Sequence, residues 1–194
     1  MSVRSALTAA AFAVTANAAA AHEFTAALFV TGDAREARLA EAVSGFLLAA
    51  DERDGHSAET SDGHLGGVDV QLLPLPAEAA GRVSGLLGTP RMPPDVVVVI
   101  GPGTAPAGLS ADSIVMYPGT LPDNWADADG SGSFAVRYRN AYGPAPTEAA
   151  AQGYNAARRL DMAIRPLDGL MPRAAFEATL ADSAGGIKWK RAGQ

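Results

Sequence analysis

Asp95-Val96-Val97-Val98-Val99-Ile100, closed by Gly101-Pro102-Gly103, is the stretch on which the reading of this chain turns. Five β-branched apolar residues in a row leave no polar face, so the segment is predicted to be a strand covered on both sides. Such strands belong to parallel sheets, whose crossovers lay helices over the faces. Working outward, Ala26–Val30 gives the same signal, then Gly32-Asp33 and a charged periodic stretch over Arg35–Arg53 with Leu39, Val43, Phe46, Leu47 and Ala50 on one face. Val68–Leu73 predicts another strand, Pro76-Ala77-Glu78 opens a helix through Leu87, and Ser113–Tyr117 is a fourth strand. After Pro118 helical spacing takes over in Ser133–Tyr142, Thr147–Ile164 and Arg173–Ala181. The fold class read from this order is α/β, doubly wound, with a mostly parallel sheet and helices on both faces.

Composition bounds the function. The chain has 194 residues, 48% hydrophobic and 19% charged, with a mean hydropathy of +0.07, which fits one folded domain. Fifteen Lys and Arg against a net charge of −6 give no basic stripe for a phosphate backbone, so no nucleic-acid partner is expected. The absence of cysteine removes disulfides, thiol catalysis and thiolate metal sites. Met1–Ala21 has a single Arg4, an apolar run over Ala6–Val14 and small residues before His22, the pattern of a cleaved secretory signal. The expected product is one exported domain over 22–194, in a bacterium periplasmic.

Several stretches taken in order resemble the type I periplasmic binding proteins, the receptors of branched-chain amino-acid ABC transporters. They are Leu47-Leu48-Ala49-Ala50-Asp51-Glu52-Arg53-Asp54-Gly55, Val97–Pro102, the spacing Phe134, Tyr138, Tyr142-Gly143 and Pro146, Gly153-Tyr154-Asn155-Ala156-Ala157, and Ala163-Ile164. The closing Ala184-Gly185-Gly186-Ile187-Lys188-Trp189 is similar to that family's terminal Gly-x-Ile-x-Phe segment. The resemblance implies a receptor for a small amino acid or carboxylate that serves a membrane permease, with no enzymatic activity and no cofactor. Receptors of that family are roughly twice as long and close two lobes on the ligand. Here a few residues separate Gly101-Pro102 from Ser113–Tyr117, so the chain looks like one lobe with most of the second excised. A homodimer would supply a second wall. The alternative is a one-lobed scaffold docking on another periplasmic protein. Tyr117–Trp125 resembles receptor-like companions of quinoprotein alcohol dehydrogenases, which makes such a dehydrogenase one candidate partner.

Ligands of open α/β sheets sit beyond the carboxyl ends of the strands. That rule points to Thr31 and Gly32, and to Gly101, Gly103, Thr104 and Ala105. In the resembled family the loop after the third strand offers a hydroxyl and backbone N–H groups to the ligand carboxylate. Thr104 matches the hydroxyl, and Ala105 stands near where a Ser is usual. The competing reading is a tight turn whose glycines serve backbone geometry alone. Trp125, on a Pro- and Gly-rich loop, is read as an exposed partner anchor or a lid over the sheet.

Metal readings are weak. Asp127-Ala128-Asp129-Gly130-Ser131 follows the start of an EF-hand loop, but the twelfth position is Tyr138 where a bidentate Glu is required. The repeated triplets Asp54-Gly55-His56 and Asp62-Gly63-His64 sit in a polar loop, and His22 would chelate copper only as a mature N-terminus. No resident metal is expected. No nucleophile elbow, zinc-protease or P-loop motif occurs, so catalysis is the least supported class.

Overall fold

The computed structural model describes residues 23–53, 61–75 and 93–189. The helix expected over Pro76–Leu87, the leader, His22 and the first His triplet lie outside the described residues.

Strands β1 (Glu23–Val30), β2 (His64–Leu65), β3 (Val68–Leu75), β4 (Val96–Ile100) and β5 (Ile114–Met116) form one sheet in the order β2-β3-β1-β4-β5. All neighbours run parallel except β2, a short antiparallel edge folded back on β3. The five β4 residues are all buried, as a strand without a polar face must be. β1 is the central strand. It pairs with β3 from Glu23 opposite Asp69 and with β4 from Ala26 opposite Val96.

Helices α1 (Arg35–Asp51), α2 (Phe134–Tyr142), α3 (Glu148–Ile164) and α4 (Arg173–Asp182) all send their buried apolar side chains into one cluster with Phe24, Ala26, Leu28 and Val30. Alternate strand residues, Ala27, Phe29, Val97 and Val99, form a second cluster on the other face with Leu75. The pleat explains the division, since side chains i and i+2 share a face.

The closest packing is between α1 and α3. A Cβ on Gly45 would stand 1.9 Å from the Ala150 carbonyl oxygen, and one on Gly153 would stand 2.0 Å from that of Ala42. Main chain therefore rests on main chain, and the two glycines permit it. Ala42, Ala49, Ala150 and Ala157 complete a seam of small buried residues. This seam explains why so Ala-rich a chain builds a firm core: helix backbones approach in place of large side chains interlocking.

Candidate functional site

The sheet order places β3 on one side of β1 and β4 on the other, so the progression of strands across the sheet reverses between β1 and β4. Crevices at such switch points hold the ligands of open α/β sheets. The loops leaving β1 and β4 meet here. Thr31 donates its N–H to the Ile100 carbonyl at 2.8 Å. Its hydroxyl donates to the same carbonyl at 3.2 Å and accepts the Gly103 N–H at 2.8 Å. A Cβ on Gly101 would lie 2.6 Å from the Thr31 oxygen, and one on Gly103 would lie 2.7 Å from the Thr31 Cβ.

Thr31, Gly32, Gly101 and Gly103 are thus brought together, as a joint between strand-end loops whose polar groups face one another. Thr104 is exposed beyond the joint. Ala105 is half-buried and packs against the second-face cluster, away from the crevice opening.

The residues that charge this crevice are arginines. Arg38 donates Nη1 to the Thr31 carbonyl at 2.7 Å, and Arg35 donates Nε to that of Gly32 at 2.9 Å. The Arg38 guanidinium spans both loops: a Cβ on Gly32 would come to 3.3 Å from Nη1, and one on Gly101 to 3.2 Å from Nη2. Glycine at both positions makes room for it. Both arginines stand in the first turn of α1, whose N-cap, Ala34, adopts φ +49° and supplies no side-chain cap. Cations at a helix N-terminus oppose the macrodipole at a cost of about 0.3–1 kcal/mol each. Among the described residues neither guanidinium forms an ion pair with a carboxylate, while Asp33 and Glu36 stay exposed at the rim. Arg38 spends one N–H on Thr31 and keeps further donors in fork geometry, the arrangement that takes a carboxylate by two parallel hydrogen bonds. The donors gathered at this crevice are guanidinium N–H groups, the chemistry that pairs with an anion.

At the far end of α1 lies a charge network of the opposite kind. Glu52 accepts from the Tyr154 hydroxyl at 2.9 Å and is paired with Arg137, which also donates to the Tyr154 oxygen at 3.1 and 3.2 Å. Asp161, 2% exposed, holds Arg165 at 2.7 Å, Arg53 at 3.5 Å and the Gly66 N–H at 2.9 Å. Burial, and next the Glu52 carboxylate, hold the Tyr154 phenol above its ordinary value of 10.0, against the downward pull of Arg137 and Arg158. This network ties α1, α2, α3 and the β2–β3 turn together. Both of its carboxylates are paired with guanidiniums.

Trp125 is half-buried against the main core and forms one wall of a hollow of about 310 Å³ shared with Phe134, Lys188 and Trp189. Trp189 docks the tail by donating Nε1 to the Asn155 amide oxygen at 2.7 Å, its ring 4.9 Å from those of Phe134 and Tyr154. The Asp127–Gly130 stretch leads into α2, whose cap is Ser133, accepting from the Val136 N–H. Asp62 accepts the Leu72 N–H at 2.7 Å and His64 meets Asp69 at 2.6 Å, so the second triplet closes the β2–β3 hairpin. Among the described residues no three metal-type ligands cluster. Comparison with protein families, with characterised proteins and with solved structures finds no match to this chain.

Proposed function

We propose that this chain is an exported one-lobed binding protein that takes a small carboxylate, an amino acid or simple organic acid, at the β1/β4 crevice and presents it to a membrane permease or another periplasmic protein. The observation that carries the reading is Arg38, a guanidinium placed between two glycines at the switch point with a backbone carbonyl as its one protein acceptor among the described residues. The leader pattern of Met1–Ala21 supports export. The resemblance of the C-terminal helix pair to the branched-chain amino-acid receptors supports the substrate class.

Thermal unfolding of the chain from His22 onward, against a panel of amino acids and small carboxylates, tests this. A ligand at a hundred times its Kd stabilises by about 2.7 kcal/mol. Arg38→Gln retains an amide donor for the Thr31 carbonyl and removes the charge. The expected result is a rise in Tm with at least one carboxylate that this variant abolishes. No rise across the panel, or an equal rise in the variant, defeats the reading.

A further inference from the structure

A second cation stands apart from the crevice. Arg159 on α3 is 3% exposed and donates Nε to the Ser183 hydroxyl at 3.0 Å, Nη1 to the Tyr117 carbonyl and Nη2 to the Leu180 carbonyl. Every one of these acceptors is neutral, and among the described residues no carboxylate forms an ion pair with it. A buried guanidinium of this kind is desolvated without being neutralised. Three of its five N–H groups are occupied, which leaves one on each terminal nitrogen held in fixed direction.

That guanidinium lines a groove of about 310 Å³ between α4 and β5, the open edge of the sheet. The volume falls at the lower end of small-molecule sites, which run from about 300 Å³ upward. Its walls are apolar: Ile114, Met116 and Leu180 are buried, and Val115 and Tyr117 are 40% and 46% exposed at the rim. Gly119 keeps the cation reachable. A Cβ there would lie 2.9 Å from Nη1 and 3.2 Å from the guanidinium carbon, so any side chain would cover the charge. Glu177 also lines the groove, but Arg173 pairs with it at 2.8 Å.

From this cleft we infer that the β5–α4 groove is a second ligand site, for a small monocarboxylate with an apolar tail, its carboxylate on Arg159 and its tail along Ile114, Met116 and Leu180. A neutral apolar guest leaves the buried cation uncompensated, and a polar anion leaves the walls unfilled.

Calorimetric titration of the intact protein with acetate, butyrate and hexanoate, and with hexanamide as the uncharged control, tests the site. Affinity should rise about four-fold per methylene, the factor expected for burying one CH₂, until the groove is full. Hexanamide should bind at least about ten-fold more weakly than hexanoate, in line with loss of a charge-assisted pair. Val115→Glu, at an exposed position, should weaken hexanoate by repulsion, and Gly119→Ala by covering the guanidinium. In the Arg38→Gln background, where the crevice has lost its charge, the chain-length-dependent hexanoate binding should persist, so the two sites fail independently. The inference is overturned if hexanoate does not bind, if chain length has no effect, if hexanamide binds equally well, if Val115→Glu and Gly119→Ala both bind as the wild type does, or if Arg38→Gln removes the binding.

Discussion

The two ends of α1 treat charge in opposite ways. At its C-terminal end Glu52, Arg53, Arg137 and Asp161 meet one another with Tyr154 between them, and each carboxylate faces a guanidinium. At its N-terminal end the partners of Arg35 and Arg38 among the described residues are backbone carbonyls, and both stand against the helix dipole. A fold stabilised by its charges would look like the first end everywhere. The departure at the second end lies at the strand-order switch point, which is what the proposed binding role rests on. Paired carboxylates at one end thus contrast with guanidiniums at the other that meet no carboxylate among the described residues.

The contrast can be broken by substitution. The largest effect is expected from Asp161→Ala, which removes a buried carboxylate from Arg53 and from the Gly66 N–H, while the exposed Arg165 turns to solvent. The loss should be about 3–5 kcal/mol in urea unfolding. A loss below 1 kcal/mol would show that the network is not structural.

Next in size is Thr31→Val, which keeps the shape but leaves the Gly103 N–H without its acceptor. We expect about 1–2 kcal/mol, the cost of an unsatisfied donor in a part-buried place. A neutral result there would mean that the joint between the loops contributes nothing.

A smaller and pH-dependent effect is expected from Tyr154→Phe. Because the folded-state pKa is raised above 10.0, the tyrosine's contribution is complete below pH 10 and declines as the pH rises through the folded value. Alkaline unfolding of the wild type should therefore steepen above about pH 10, and the Phe variant should lack that component. Equal alkaline slopes would show that the phenol is not shifted.

The smallest effect belongs to Thr104→Ala, exposed beyond the crevice joint, whose stability should stay within about 0.5 kcal/mol of the wild type. Its value is in ligand titration. If it reduces carboxylate affinity as strongly as Arg38→Gln does, the hydroxyl shares the anchoring with the arginine.

Most of the scaffold was legible because its signals are periodic. The continuous run at Val96–Ile100 and the spacing of Tyr154, Ala157, Leu160 and Ile164 placed strand and helix within a residue or two. β2 escaped notice because two residues carry no period, and its formation depends on the turn at Gly66 and Gly67. Site residues were legible only as glycines and hydroxyls at strand ends. Arg35 and Arg38 read only as members of the charged periodic stretch over Arg35–Arg53, since nothing in a linear pattern tells whether a guanidinium has a carboxylate opposite. Their place in the first turn of a helix, where cations are disfavoured, was the available signal. Arg159 and Asp161 sit within a stretch whose buried stripe is plain, yet both are buried themselves, and charged residues in the core follow from tertiary contacts that spacing does not encode.

The seam of Gly45 on Ala150 and Gly153 on Ala42 bears on how a captured ligand would be sensed. A helix seated main chain against main chain has no slack for a sliding or rocking movement. Because Arg35 and Arg38 ride on that helix, the crevice is stiff, and occupancy should leave the outline of the molecule unaltered. Small-angle scattering curves with and without carboxylate should superimpose, whereas a contraction on binding would show that the seam yields. Under the proposed binding role, a crevice this stiff would transmit no signal through the shape of the molecule, and whatever stands next in line would have to touch the cargo directly.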